Sequence, residues 1–174
     1  MAAHQQQRRA LLRGLAALPA LAVAGGLAGC GFHLRRPAEL PFTRLALTGF
    51  KPRSPMLAEL RRALPDSVRV MEQPKDAEVV LAVKEDRFEK TVAASTSAGQ
   101  VREFRLRVSL RFQLTRPDGV VLVADTELEQ SRDMTYTETD ALAKGTEEEV
   151  LVHEMRADIA RQLLQMLSSA GQRA

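Results

Sequence analysis

The sequence predicts an α+β fold: a two-layer sandwich in which two helices pack on one face of a mixed sheet of roughly four strands. Three observations carry this expectation. From Val101 to Thr115, Phe104, Leu106, Val108, Leu110, Phe112 and Leu114 alternate with polar residues, as in a strand with one buried and one wet face. Two stretches, from Pro55 to Leu64 and from Thr146 to about Ser168, place apolar residues at helical spacing. Their order is strand, helix, several strands with a long hairpin, then helix, which suits helices segregated to one side of a sheet.

Ahead of these elements stands a targeting leader. Arg8, Arg9 and Arg13 precede an apolar run from Leu15 to Leu27, with no acidic residue before Glu39. The run is rich in Ala and Gly, is broken by Pro19, and is shorter than the ~20 residues a spanning helix needs. It ends in Leu27-Ala28-Gly29-Cys30, the pattern of a bacterial lipoprotein signal. The small residues admit a signal peptidase, and Cys30 is the only thiol in the chain. The expectation is that residues 1–29 are removed and Cys30 carries the lipid. Acyl burial contributes about 0.8 kcal/mol per methylene, so two or more chains anchor firmly. Gly31, where aspartate would favour inner-membrane retention, points to the outer membrane.

Removing the 29-residue leader from 174 leaves 145, the size of one domain. The leader holds three of the 25 basic residues and none of the 22 acidic ones, so the mature part is charge-balanced. It has no net attraction for nucleic acid. With Cys30 acylated, no thiol remains for a disulfide, and packing alone must hold the fold.

Residues 30–41 form the tether, with Pro37 and Pro41 opposing helix, and residues 42–170 form the domain. Within Phe42 to Thr48, Leu45 and Leu47 share one face of a short strand. Ser54-Pro55 starts a helix, with serine capping free amides and proline tolerated at the first position; Pro65 stops it. Val68 to Met71 reads as a small strand and Glu78 to Lys90 as a longer one. Thr91 to Gly99 is small and polar and reads as a hairpin connection. Arg116-Pro117-Asp118-Gly119 is a turn whose glycine takes positive φ. Asp140 to Gly145 reads as a small turn. Thr146 and Glu149 then form a capping box opening the last helix, whose buried stripe is Val152, Met155, Ile159, Leu163, Met166 and Leu167. Residues 171–174 are expected to fray.

Charge sets the expected hairpin register. If Arg116 pairs with Val120, Arg111 faces Asp125, Ser109 faces Glu127 and Arg107 faces Glu129, while Leu114 faces Leu122 and Val108 faces Leu128. A one-residue slip would set apolar against charged side chains. Arg105, Arg107 and Arg111 are therefore read as partners of acids on the next strand, each pair contributing about 0.2–1 kcal/mol, and not as a site for an anion.

Catalytic constellations are lacking in the sequence. The histidines are His4, His33 and His153, none with a second metal ligand at a motif spacing; Glu149, one turn before His153, is read as a surface helix contact. There is no phosphate-binding glycine loop, nucleophile elbow or paired-cysteine motif. The reading is a membrane-tethered binding or assembly domain, not an enzyme, with no cofactor and no metal.

Several stretches, in order and spacing, resemble the LptE family of lipopolysaccharide-assembly lipoproteins. They are Cys30-Gly-Phe-His-Leu-Arg35, the Ser54-Pro-Met-Leu helix ending in Leu60-Arg-Arg-Ala-Leu64, and the hairpin beginning near Gly99-Gln100. Most specific is Ala141-Leu-Ala-Lys144 followed by Glu148-Glu-Val-Leu-Val-His-Glu-Met155 and Ile159-Ala-Arg-Gln-Leu-Leu164. The resemblance implies a lipid-anchored outer-membrane protein that plugs and helps assemble the LptD β-barrel and takes part in delivering lipopolysaccharide to the outer leaflet. It also implies basic contacts to lipopolysaccharide phosphates. Lys144 is the best positional match, the plain alternative being an exposed lysine before a helix. The hairpin tip Thr96-Ser-Ala-Gly99 lacks the charge expected there, and Arg102 is the nearest substitute. A generic periplasmic lipoprotein adaptor would share the anchor and the amphipathic pattern without the barrel partner; a hydrolase of envelope polymers would need a carboxylate pair or nucleophile in a cleft.

Overall fold

The structure, a computed structural model, describes residues 39–171. Cys30 and the leader lie outside the described residues, as do most of the tether and residues 172–174. The elements in chain order are β1 (Arg44–Thr48), α1 (Pro55–Ala63), β2 (Arg69–Met71), β3 (Val79–Ser95), β4 (Val101–Thr115), β5 (Val121–Thr135) and α2 (Ala141–Gly171). The sheet has five strands in the order β2-β1-β3-β4-β5, one more than expected. The short β2, paired with β1 at the sheet edge, brings the count to five, and β5, the second arm of the long hairpin, extends the sheet beyond β4. β1 runs parallel to both neighbours and the remaining pairs are antiparallel, so the sheet is mixed.

Both helices lie on one face. Met56 and Leu60 of α1 and Val152, Met155, Ile159, Leu163 and Leu167 of α2 join Leu81, Leu106, Val108, Leu110, Phe112, Leu114 and Met134 in a single buried cluster. The alternation in β4 thus places one face in the core, where each large side chain gains about 1.5–3 kcal/mol by burial. Behind β1 and β3 a smaller cluster of Ala46, Ala77 and Val80 covers the reverse face.

The start of α1 is as expected: the Ser54 hydroxyl accepts from the Leu57 amide at 3.1 Å, and the chain turns extended at Leu64 before Pro65. Ser54 is itself buried, and its hydroxyl donates to Asp86 of β3 at 2.6 Å, so the cap also pins α1 to the sheet.

Three expectations are corrected. β3 does not end near Lys90 but runs to Ser95, and the connection shrinks to a turn closed by Thr96 and Gln100. Backbone pairing with β4 continues through small side chains because a ladder needs only main-chain groups. α2 begins at Ala141, not at Thr146: a 3-10 turn over Glu138–Asp140 leads into it, and Thr137 donates to Asp140 at 2.7 Å. Ala141 to Lys144 are strong helix formers, which outweigh the ~1 kcal/mol liability of Gly145, so Thr146 and Glu149 lie inside the helix.

The third correction is the register of β4 with β5. The turn closes as expected, with the Arg116 amide donating to Val120 at 2.8 Å and Gly119 at φ +92°. Two register shifts follow, between Phe112 and Leu114 and between Leu114 and Thr115. Arg111 consequently lies opposite Glu127, Ser109 opposite Glu129, Arg107 opposite Ser131, Leu114 opposite Val123 and Val108 opposite Gln130. The two shifts together move the strand by two residues, an even number, so the buried and wet faces stay matched.

Candidate functional site

The long hairpin and α2 give the domain two ends. At one end the β3–β4 turn meets the connection from β5 into α2; at the other the β4–β5 turn lies near the end of α2, where Ser168 donates to the Glu39 carbonyl at 2.8 Å. Fifteen residues of β4 separate the two ends by about 50 Å. The chain enters the domain at the second end, and Lys144 and Arg102 stand at the first.

Lys144 is in the first turn of α2, where the helix dipole disfavours a cation. Its ammonium donates to Thr135 at the end of β5 (3.2 Å) and to Glu147 (2.7 Å), and the side chain is 19% exposed. A cation held there has its donors occupied by exchangeable surface partners. Gly145 leaves the space beside it open: an added Cβ would meet no heavy atom within 4 Å.

Arg102 is the second residue of β4, and its carbonyl accepts from the Tyr136 amide at 2.8 Å. Register places its side chain on the same face as Phe104 and Leu106, the face that carries the helices. The two sequence-predicted positions therefore share one end and one face of the sandwich.

On the same helix-bearing face, one strand further along at β3, stands a residue that sequence reasoning missed. Lys90 of β3 lies 4.2 Å from the centroid of the Phe104 ring and donates to Glu148 of α2 at 2.5 Å. Tyr136 meets Phe104 edge-on, with ring centroids 5.1 Å apart. In the sequence Lys90 stands only at the expected end of a strand, and strand pairing and helix docking bring it to Phe104 and Glu148. This end of the domain thus carries Lys144, Arg102 and Lys90, with Lys90 over the Phe104 ring and both lysines bonded to glutamates; cations beside an aromatic ring suit a phosphate-bearing, partly apolar ligand.

The outer sheet face is a separate electrostatic unit. Arg105 makes a bidentate pair with Asp133 (2.8 and 3.0 Å), Arg107 reaches Glu129 at 3.4 Å, and Arg111 makes a bidentate pair with Asp125 (2.9 and 2.8 Å). The expected Arg111–Asp125 and Arg107–Glu129 pairs thus form, but diagonally, because the register moved by two. Lys84, the bulged residue of β3, also donates to Asp125 at 2.9 Å. The Arg111 and Lys84 hydrogen bonds hold the Asp125 carboxyl at about 2, and the Arg105 bond holds Asp133 below its ordinary value. This stripe is consumed by its own partners.

His153 does not use Glu149. Its Nδ1 lies 2.9 Å from Glu59 of α1, a buried carboxylate that also accepts from Arg62 at 2.5 Å. The contact ties the two helices together, a role visible only once they pack. Among the described residues no three His, Cys, Asp or Glu side chains converge. A cavity of about 240 Å³ lined by Phe42, Val79, Leu114, Leu122 and Leu167, with Glu78 and Arg116, lies at the end remote from Lys144.

Comparison with known proteins settles the family. The model of the lipopolysaccharide-assembly LptE family matches residues 42–167. This chain belongs to the LptE family. It is similar to the LPS-assembly lipoprotein LptE of Photorhabdus laumondii, at 30% identity over 143 residues that cover 80% of this chain and 78% of that one. The Yersinia enterocolitica LptE is 29% identical, over 80% of this chain and 69% of that one. Among solved structures, lipoprotein B of Nitrosomonas europaea superposes with a TM-score of 0.67 at 27% identity, covering 83% of this chain and 96% of its own. Rare lipoprotein B of Shewanella oneidensis does so with a TM-score of 0.64 at 26% identity, covering 75% and 98%. The family match begins at Phe42, the first buried core residue, and ends at Leu167, the last, so it spans the packed LptE-like sandwich.

Proposed function

We propose that this LptE-family chain is a lipoprotein of the outer membrane, held there through lipid on Cys30 after removal of residues 1–29, with residues 30–41 as tether. It plugs and helps assemble the LptD barrel and takes part in delivering lipopolysaccharide to the outer leaflet. The single observation that carries the reading is the family match over residues 42–167, together with relatives named for lipopolysaccharide assembly. No helix among the described residues is long and apolar enough to cross a membrane.

The outer sheet face supports the plug reading physically. The three β4 arginines on it stand in neutral pairs with Asp133, Glu129 and Asp125, a surface that exchanges hydrogen bonds with a water-rimmed barrel lumen without a large desolvation penalty. Lys144 and Arg102 are proposed to meet lipopolysaccharide phosphates at the end of the domain remote from Glu39. The role is binding and assembly, with no catalytic step.

The test is a mild-detergent pull-down of the tagged, acylated protein from its own outer membranes. A stoichiometric large β-barrel among the copurifying proteins is the expected result. Its absence, with the protein folded and acylated, would replace the plug reading by that of a generic periplasmic adaptor.

A further inference from the structure

The two edges of the sheet are unequal. β2 has three residues, whereas β5 has fifteen and pairs with β4 alone. Long open edges are normally blunted by proline, lysine, bulges or a covering element. In β5 there is neither proline nor lysine, both register shifts lie before Thr126, and the one inward-facing cation, Arg132, is paired with Glu154 and Asp158 of α2, which leaves the acids of the outer face as the charges along the edge. From Thr126 to Thr135 the pairing is unbroken, an exposed edge of about 30 Å.

The direction of its free backbone groups follows from one hydrogen bond. The Tyr136 amide donates to the Arg102 carbonyl, and the same register runs back to Thr126. In an antiparallel ladder both main-chain groups of a residue point to the same side and alternate along the strand. Even-numbered residues of this stretch therefore bond β4, and Glu127, Glu129, Ser131 and Asp133 direct their N–H and C=O groups outward.

Those same residues stand on the wet face, three of them acidic. Among the described residues Glu127 has no ion pair, and Glu129 has one at 3.4 Å. A carboxylate accepts from more than one donor, so acids already bonded to β4 arginines retain acceptor capacity on their other side. We infer that the β5 edge accepts an added antiparallel strand from a partner protein, one with basic residues at alternating positions on its outer face. Main-chain bonds supply the affinity, and the acidic ladder selects the charge. A second copy of this chain suits the edge poorly: pairing β5 with itself about Ser131 sets Glu129 against Asp133, like charge against like.

The test uses the full chain in detergent micelles with a synthetic nonapeptide of alternating arginine and valine. The expected result is saturable binding with slowed amide exchange at Glu127, Glu129, Ser131 and Asp133. Ser131→Pro removes an outward N–H without touching the β4 ladder and should weaken binding about tenfold. The same peptide methylated on its bonding amides tests the point with the protein unaltered and should bind comparably weakly. Glu129→Lys should weaken the basic peptide and not an uncharged one. Binding indifferent to peptide methylation would mean ionic adsorption to the face and would overturn the inference, as would equal binding of an alternating acidic peptide or no saturable binding at millimolar concentration.

Discussion

Gly49, at the end of β1, sits so close to the Val83 carbonyl of β3 that a Cβ added to it would lie 1.9 Å from that oxygen. Its φ is +83°, and Val83 adjoins the bulge that admits Lys84. The chain leaves the sheet for α1 at this point, backbone against backbone.

Gly49→Ala should therefore destabilise the domain by about 3 kcal/mol or more, since it combines left-handed strain with an overlap that only a backbone shift relieves. Gly99→Ala, at φ +81° with open space around it, should cost only about 1–2 kcal/mol. Denaturant unfolding of the two variants measures the difference; equal losses would mean that the strand crossing relaxes freely.

Acid should weaken the hairpin through Asp125. Its carboxyl stands at about 2 in the folded protein, against 3.8 ordinarily, because it accepts from Arg111 and Lys84. As pH falls, the unfolded chain binds this proton first. The contribution is complete above about pH 5 and is lost between about pH 4 and 2. Asp133 and Glu78 are shifted in the same direction. Asp125→Asn should flatten the fall of stability over that window, read from unfolding midpoints at stepped pH.

Lys144→Glu should weaken lipopolysaccharide binding while leaving barrel association intact. Folding stability should change by no more than about 1 kcal/mol, since an acid suits the helix start but meets Glu147 three residues on. Direct binding assays beside thermal unfolding separate the two effects. Equal lipopolysaccharide binding by both proteins would remove Lys144 from the site.

Gly145→Ala should stabilise the domain by about 0.5–1 kcal/mol, because a helical glycine with open space gains propensity at no steric cost. If the opening beside Lys144 serves the ligand, the same variant should bind lipopolysaccharide less well despite its greater stability. Thermal unfolding and the binding assay together read both signs.

The candidate site was half legible. Lys144 and Arg102 were placed by family resemblance, and the fold sets them at one end and on one face. Lys90 was hidden because its neighbours Phe104 and Glu148 are 14 and 58 residues away in sequence. The partner of His153 was misjudged for the same reason: Glu149 is one helical turn distant in sequence, but Glu59 is nearer once α1 and α2 pack.

By itself the sequence determined the order of elements, the start of α1 and the buried faces of β4 and α2, because caps, turns and hydrophobic periodicity act over a few residues. It also carried the ion-pair partners across the hairpin, since those depend on which face a charge occupies. Only the tertiary structure decided where α2 begins, how far β3 runs and that the short β2 pairs with β1 at the sheet edge. It alone set the two-residue displacement of β4 against β5. Parity along a strand fixes the face of every side chain, and a shift of two preserves it; which of the allowed registers forms depends on bulges whose energy comes from the packed sheet.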